Sequence, residues 1–118
     1  MAKVTAIVND LNFMTKIRNA AEAFGVKVGF VGSREQLEHY LKDSDLIFID
    51  LENDLIDPIE LIKRIKLDQA MQKIKLVAYL SHVNTPLKSE AIDAGCDEVL
   101  SRFEFNSNLK EILQATCL

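Results

Sequence analysis

The sequence predicts a single α/β domain over residues 1–118, with a parallel sheet covered by helices on both faces. Short apolar runs rich in β-branched residues alternate five times with longer segments whose apolar residues recur at helical spacing. The run at residues 46–49 is apolar throughout, which is typical of a central parallel strand buried on both faces.

The first two strand–helix pairs come before this central run. Strands are predicted at residues 4–8 and 26–31, and the segment between them repeats apolar residues at helical spacing until Gly25 ends the helix. Ser33 and Gln36 form a capping-box pattern that opens a short second helix.

The third pair has the clearest boundaries. Asp50 ends the apolar run, and Asp57, Pro58 and Glu60 then predict a helix start. An Asp cap, a proline at the first helical position and a Glu three residues after the cap are typical of such a start.

The last two pairs have shorter strands. A fourth strand is predicted at residues 74–80, and Pro86 opens the short helix that follows it. Residues 99–100 belong to a brief fifth strand. We expect Asn106 or Ser107 to cap the final helix.

The composition argues against several classes of function. The net charge of -4 and the pI of about 5.1 disfavour direct nucleic-acid binding, which usually needs a basic face. No apolar run approaches the roughly 18 residues of a membrane span, and the N-terminus resembles a strand rather than a signal peptide. Cys96 and Cys117 lack metal-site spacing and are interpreted as reduced packing residues. We therefore expect a cytoplasmic protein.

Polar residues follow the predicted strands at the ends that a parallel sheet brings to one edge, where open α/β sheets bind ligands. The first strand is followed by Asn9 and Asp10, the third by Asp50, the fourth by Ser81 and the fifth by Arg102. We expect the last four of these side chains to line one crevice.

Such a group of side chains suits the capture of a phosphoryl group. A carboxylate can attack phosphorus to give an acyl phosphate, and a hard cation such as Mg²⁺, bound by Asp10 and Asp50, would offset the repulsion. The hydroxyl of Ser81 and the guanidinium of Arg102 could contact phosphoryl oxygens. The alternatives are structural: Asp10 as a helix cap, Ser81 as a turn residue, and Arg102 as a salt-bridge partner that closes the pocket without phosphate.

These stretches resemble the receiver domains of bacterial response regulators, the phosphorelay proteins of two-component signalling. Receiver domains carry an acidic pair after the first strand, an Asp ending the third, a Ser or Thr ending the fourth and a Lys-Pro after the fifth. The corresponding stretches here are residues 7–10, 46–50, 79–81 and 95–102, and the resemblance covers essentially the whole chain. It implies a flavodoxin-like, doubly wound (βα)5 fold with strand order 2-1-3-4-5.

The resemblance also implies a function in signal transduction. Asp50 would be the phosphoacceptor, with Ser81 and Arg102 at the phosphoryl group, and Mg²⁺ would be held by Asp10, Asp50 and the backbone carbonyl of Glu52. A histidine kinase or phosphotransfer protein would donate the phosphate. A target protein would bind the face formed by the fourth helix, fifth strand and fifth helix. Catalysis would be limited to phosphorylation and dephosphorylation of the domain's own aspartate.

Four departures from the family pattern favour an alternative. Asn9 replaces one acid of the pair and should weaken Mg²⁺ binding, while Arg102 and Phe103 replace Lys-Pro. Phe103 disfavours the cis bond that is usual there, since a non-proline cis bond costs about 2.5–4 kcal/mol. Val99 replaces the aromatic residue whose rotamer change passes on the signal. The alternative is an atypical pseudo-receiver that binds a protein without phosphorylation.

A third hypothesis is enzymatic. Asp50-Leu51-Glu52 resembles the nucleophile motif of haloacid-dehalogenase-type phosphatases, with Ser81 and Arg102 as further parts. Those enzymes carry the motif on their first strand, which disfavours this interpretation.

Three aromatic side chains near the site are interpreted as ordinary surface or core residues. We expect His82 to be exposed at the pocket rim. Phe103 and Phe105 are predicted to pack under the last helix rather than to form an exposed apolar patch, which would mark a partner surface.

Overall fold

The computed structural model describes residues 2–81 and 84–117, in which strands and helices alternate strictly. His82 lies outside the described residues. The elements are β1 (Lys3–Ile7), α1 (Leu11–Ala23), β2 (Lys27–Phe30), α2 (Arg34–Leu41), β3 (Leu46–Asp50), α3 (Pro58–Leu67), β4 (Lys75–Leu80), α4 (Thr85–Asp93), β5 (Glu98–Ser101) and α5 (Arg102–Cys117).

The five strands form one parallel sheet in the order β2-β1-β3-β4-β5, which confirms the predicted fold class. β3 lies at the centre, and all five of its residues are buried. One hydrophobic cluster packs α1 and α5 against one face of the sheet, and a second packs α2, α3 and α4 against the other. None of the described helices is long and apolar enough to cross a membrane.

Two helix caps and one helix end form where the sequence predicts them. Ser33 Oγ accepts a hydrogen bond from the Gln36 N–H at 3.2 Å, and Asp57 Oδ1 accepts one from the Glu60 N–H at 3.2 Å. Gly25 follows α1 with a φ of +69°, the left-handed conformation that favours glycine. Ser33 and Asp57 set where α2 and α3 begin, and so fix the lengths of two loops at the carboxyl edge of the sheet.

The start of the last helix differs from the prediction. α5 begins at Arg102, directly after β5, and Asn106 and Ser107 lie inside it. Ser101 and Glu104 form a capping box, in which Ser101 Oγ accepts from the Glu104 N–H at 3.1 Å and Glu104 Oε1 accepts from the Ser101 N–H at 2.9 Å. The expectation that Asn106 or Ser107 caps this helix is therefore wrong.

The peptide bond between Arg102 and Phe103 is not cis, as the sequence predicts. The described part of the chain contains no cis peptide bond. Arg102 occupies the first turn of α5, and this position brings its side chain over the carboxyl edge of the sheet.

Candidate functional site

The candidate site is a pocket at the carboxyl edge of the sheet, where Arg102 meets three carboxylates. Its guanidinium lies 3.6 Å from Asp10 Oδ2, 3.9 Å from Asp50 Oδ2 and 3.8 Å from Glu52 Oε1. We call these four residues the acidic pocket. The acidic pocket therefore contains three carboxylates and one positive charge, the guanidinium of Arg102.

Asp50 is the deepest member of the acidic pocket. Its side chain is 4% exposed, because it ends the central strand between β1 and β4. Oδ1 accepts a hydrogen bond from the Glu52 N–H at 2.9 Å, and Oδ2 faces Arg102. Burial raises the pKa of Asp50 above its ordinary value, although the Glu52 N–H and the Arg102 guanidinium both lower it.

Asp10 caps α1 and contributes to the pocket at the same time. Oδ1 accepts a hydrogen bond from the Asn12 N–H at 2.7 Å, so the helix-cap interpretation is confirmed. Oδ2 is the atom that faces Arg102. One carboxylate oxygen is thus committed to the helix and the other to the guanidinium.

Ser81 and Glu52 are directly bonded. Glu52 Oε1 accepts hydrogen bonds from both the N–H and the hydroxyl of Ser81, each at 2.9 Å. The Ser81 N–H is the main cause that lowers the pKa of Glu52, and Arg102 lowers it further. The hydroxyl of Ser81 therefore donates to a side chain of the pocket rather than pointing into free space.

Asn9 lies at the rim and is bonded away from Arg102. Its Nδ2 donates to Asp54 Oδ1 at 3.2 Å, and both residues are exposed. Asn53 is buried, and its Oδ1 accepts from the Leu55 N–H at 2.6 Å, which holds the loop after Asp50 in place.

Two aromatic rings contact the guanidinium. The Cζ of Arg102 lies 5.5 Å from the ring centroid of Phe13 and 5.5 Å from that of Tyr79. The two rings stack at 4.8 Å with an interplanar angle of 22°. The hydroxyl of Tyr79 is buried and has no hydrogen-bond partner among residues 2–81 and 84–117, and burial strongly raises its pKa.

The four side chains predicted to share a crevice do meet, with Ser81 joined to the others through Glu52. The sequence interpretation assigned Glu52 only a backbone role, and it missed the rings of Phe13 and Tyr79 entirely. The available signal for Tyr79 was its position two residues before Ser81, which places both on one strand. Of the two phenylalanines near Arg102, Phe105 is fully buried as expected, whereas Phe103 is 78% exposed, contrary to expectation.

The residues present do not fit a divalent cation while Arg102 is in place. Within residues 2–81 and 84–117 there is no group of three or more His, Cys, Asp or Glu arranged to hold a metal ion. The second oxygens of Asp10 and Asp50, which are the donors a hard ion would need, both face the guanidinium. A metal ion would have to replace it.

No protein-family model matches the sequence, and no curated protein matches it either. Solved structures do match. The response regulator signal receiver domain from Bermanella marisrubri has a TM-score of 0.83 at 13% identity, with 100% of both chains covered. The phosphorylated cyanobacterial phytochrome response regulator RcpA has a TM-score of 0.82 at 18% identity, covering 98% of this chain and 93% of that one.

A third match carries a metal ion. It is the receiver domain of a sensor histidine kinase from Pseudomonas aeruginosa PAO1, with a magnesium ion coordinated in its active-site cleft. The TM-score is 0.80 at 16% identity, covering 98% of this chain and 96% of that one. At these identities the likeness shows the fold and not the chemistry. The chain therefore has the fold of response regulator receiver domains.

Proposed function

We propose that this chain is a receiver-type signalling module that binds a protein partner without phosphorylation of Asp50. The observation that carries this proposal is the position of Arg102, whose guanidinium lies within 4 Å of the carboxylates of Asp10, Asp50 and Glu52. The receiver fold supports a role in signalling, and the pocket supports the absence of a phosphate requirement.

The charge in the pocket supports this proposal. Phosphorylation of a receiver aspartate requires a divalent cation, and Mg²⁺ prefers several carboxylate and carbonyl oxygens around it. Asn9 supplies an amide where receiver domains have an acid, and this amide already bonds Asp54. Arg102 offsets part of the remaining negative charge from within the chain, so we assign the role of the pocket cation to Arg102 instead of Mg²⁺.

The state of the nucleophile supports it as well. Asp50 is buried, and the oxygen that would attack phosphorus faces the guanidinium of Arg102. The hydroxyl of Ser81 donates to Glu52. Phosphoryl transfer would therefore require Arg102 to leave and Ser81 to exchange its acceptor before any bond could form.

The partner surface that we propose is the face formed by α4, β5 and α5. Its helices carry two exposed apolar side chains, Ile92 at 51% and Phe103 at 78% exposure, which a bound partner would cover. Val99 on β5 has no ring that could change rotamer with phosphorylation. The surface would therefore be able to bind its partner at all times.

Both described cysteines are free, as is usual in the reducing cytoplasm where we place the protein.

A phosphorylated switch is the second candidate. The specific observation in its favour is that Asp10 and Asp50 lie side by side at the carboxyl edge of the sheet, with Ser81 on the next strand. In that case a histidine kinase or phosphotransfer protein would phosphorylate Asp50 with Mg²⁺ bound.

Acetyl phosphate distinguishes the two candidates. We would incubate the wild-type protein and Asp50→Asn with millimolar acetyl phosphate and Mg²⁺ and record intact masses, with an active receiver domain as the reagent control. The proposal predicts no phosphoryl adduct on the wild type. An adduct on the wild type that is absent from Asp50→Asn would establish the phosphorylated switch instead.

A further inference from the structure

We propose that the stacked rings of Phe13 and Tyr79, which we call the aromatic pair, position Arg102 as the permanent cation of the acidic pocket. This inference rests on the proposed function, because it explains how the guanidinium keeps its place against a competing metal ion. Phe13 and Tyr79 are thus positioning residues, which act on the site through Arg102.

The aromatic pair is packed in the core and comes from two separate elements. Phe13 belongs to α1 and is 7% exposed, while Tyr79 belongs to β4 and is fully buried. Phe105 of α5 packs against the far side, with its ring centroid 4.7 Å from that of Tyr79. The surface that contacts the guanidinium is therefore part of the core and does not move with the loops.

The guanidinium bridges both rings. Its distance to each centroid is 5.5 Å, so it lies over the junction between the rings and not over one of them alone. The three carboxylates approach the same group from 3.6 to 3.9 Å. The guanidinium therefore has the two rings on one side and carboxylates at its polar edge, and part of it remains exposed.

Helix α5 alone would not hold Arg102 here. Arg102 is the first residue of that helix, and a positive charge at a helix N-terminus is disfavoured by the helix dipole. The side chain is 37% exposed, so nothing bars its rotation into solvent. The aromatic pair and the carboxylates together supply the attraction that opposes this rotation.

The position is suited to arginine and not to lysine. A guanidinium is planar, weakly hydrated and stacks on rings, whereas an ammonium is a compact, strongly hydrated charge. The resemblance to receiver domains implies a lysine at this position, and Arg102 replaces it. The aromatic pair gives that replacement a physical reason within this chain.

The ring of Tyr79 carries the effect, because its buried hydroxyl bonds none of the residues that the structure describes. Tyr79→Phe keeps the ring and is the matched control for Tyr79→Leu, which removes it. Phe13→Leu removes the other ring and provides a second test if Tyr79→Leu does not fold.

The direct readout is the Nε–H proton resonance of Arg102, because ring currents shift protons that lie over an aromatic face. The chain has four arginines, and Arg102→Lys identifies the resonance. We expect the wild type and Tyr79→Phe to share one position, and Tyr79→Leu and Phe13→Leu to shift it toward that of the exposed Arg34. An unchanged resonance in the two leucine variants, or the same shift in Tyr79→Phe, would overturn the inference.

A Mg²⁺ titration followed by amide resonances separates this inference from the proposed function. We expect no saturable binding at millimolar Mg²⁺ in the wild type and in Tyr79→Phe. In the leucine variants the loss of a cation–π contact weakens the hold on the guanidinium, and we expect saturable Mg²⁺ binding to appear in the millimolar range. No saturable binding by either leucine variant would count against the inference. Saturable binding by the wild type would refute the proposed function itself, whatever position the Arg102 resonance takes.

Discussion

Asp50→Asn should make the protein more stable at neutral pH, although it removes the side chain at the centre of the site. The asparagine keeps an oxygen that accepts from the Glu52 N–H and removes a charge that is 96% shielded from solvent, since the aspartate side chain is 4% exposed. Arg102 retains two carboxylates, those of Asp10 and Glu52.

The stability gained by Asp50→Asn depends on how much of the cost of burying the Asp50 charge is already offset by its neighbours. Burial of a polar group without full compensation costs about 1–3 kcal/mol in proteins. The Glu52 N–H and Arg102 already offset part of that cost for Asp50. We therefore expect the low end, a gain of about 1 kcal/mol in the free energy of unfolding, or about 4 °C in Tm.

The stability gained by Asp50→Asn should be larger at neutral pH than at acidic pH. Because the pKa of Asp50 is raised in the folded state, the folded protein holds this proton more tightly than the unfolded chain, whose value is near 3.8. Ionisation of Asp50 therefore destabilises the wild type as the pH rises through the raised pKa. The advantage of Asp50→Asn should be full at neutral pH and should vanish as the pH falls toward 3.8.

Urea unfolding of both proteins between pH 4 and pH 8 measures this difference directly. Asp54→Asn is the control, because Asp54 is an exposed residue at the rim of the same pocket, where a change should stay within about 0.5 kcal/mol. The reasoning would be refuted if the wild type were more stable than Asp50→Asn at neutral pH. It would also be refuted if the difference in free energy of unfolding between the two proteins did not change with pH.

Three further changes test other parts of the structure. Tyr79→Phe should leave stability unchanged or raise it by up to about 1 kcal/mol, since it removes an unpaired buried hydroxyl; a clear loss in urea unfolding would mean that the hydroxyl has a partner. Ser101→Ala should cost about 1 kcal/mol because it breaks the capping box of α5, whereas the exposed Ser107→Ala should cost less than about 0.5 kcal/mol. The reverse ranking would contradict the observed start of α5. Gly95→Ala should cost about 1–3 kcal/mol in the same assay, because Gly95 has a φ of +107° and an added Cβ would lie 3.0 Å from Lys66 Cγ; a neutral result would contradict that backbone conformation.

Much of the fold could be predicted because its signals are local. The caps at Ser33 and Asp57 and the glycine at residue 25 each act within a few residues, and each has the predicted partner or conformation. The strand order is a different matter, since no local signal fixes it. It was predicted only through the resemblance to receiver domains.

The start of α5 shows how one local signal can be chosen over another. The capping box of Ser101 and Glu104 is visible in the sequence as Ser-Arg-Phe-Glu. We instead expected Asn106 or Ser107 to cap the helix, because both are favoured capping residues and precede the apolar residues of the last helix. With Phe103 in place of proline, the chain passes directly from β5 into the helix.

The site was only half predictable because its contacts are long-range. The carboxyl-edge rule brings Asp10, Asp50 and Arg102 together without knowledge of side-chain directions. The bond from Ser81 to Glu52 spans 29 residues, and the contact of Tyr79 with Arg102 depends on the packing of β4 against α5. No sequence spacing encodes either contact.

The most direct test of Arg102 as the cation of the acidic pocket is a crystal structure grown with Mg²⁺ and beryllofluoride, which mimics an aspartyl phosphate. We expect Arg102 to remain among the carboxylates of Asp10, Asp50 and Glu52, with neither reagent bound there. A beryllofluoride group on Asp50, with Mg²⁺ beside it and the guanidinium displaced, would contradict this account.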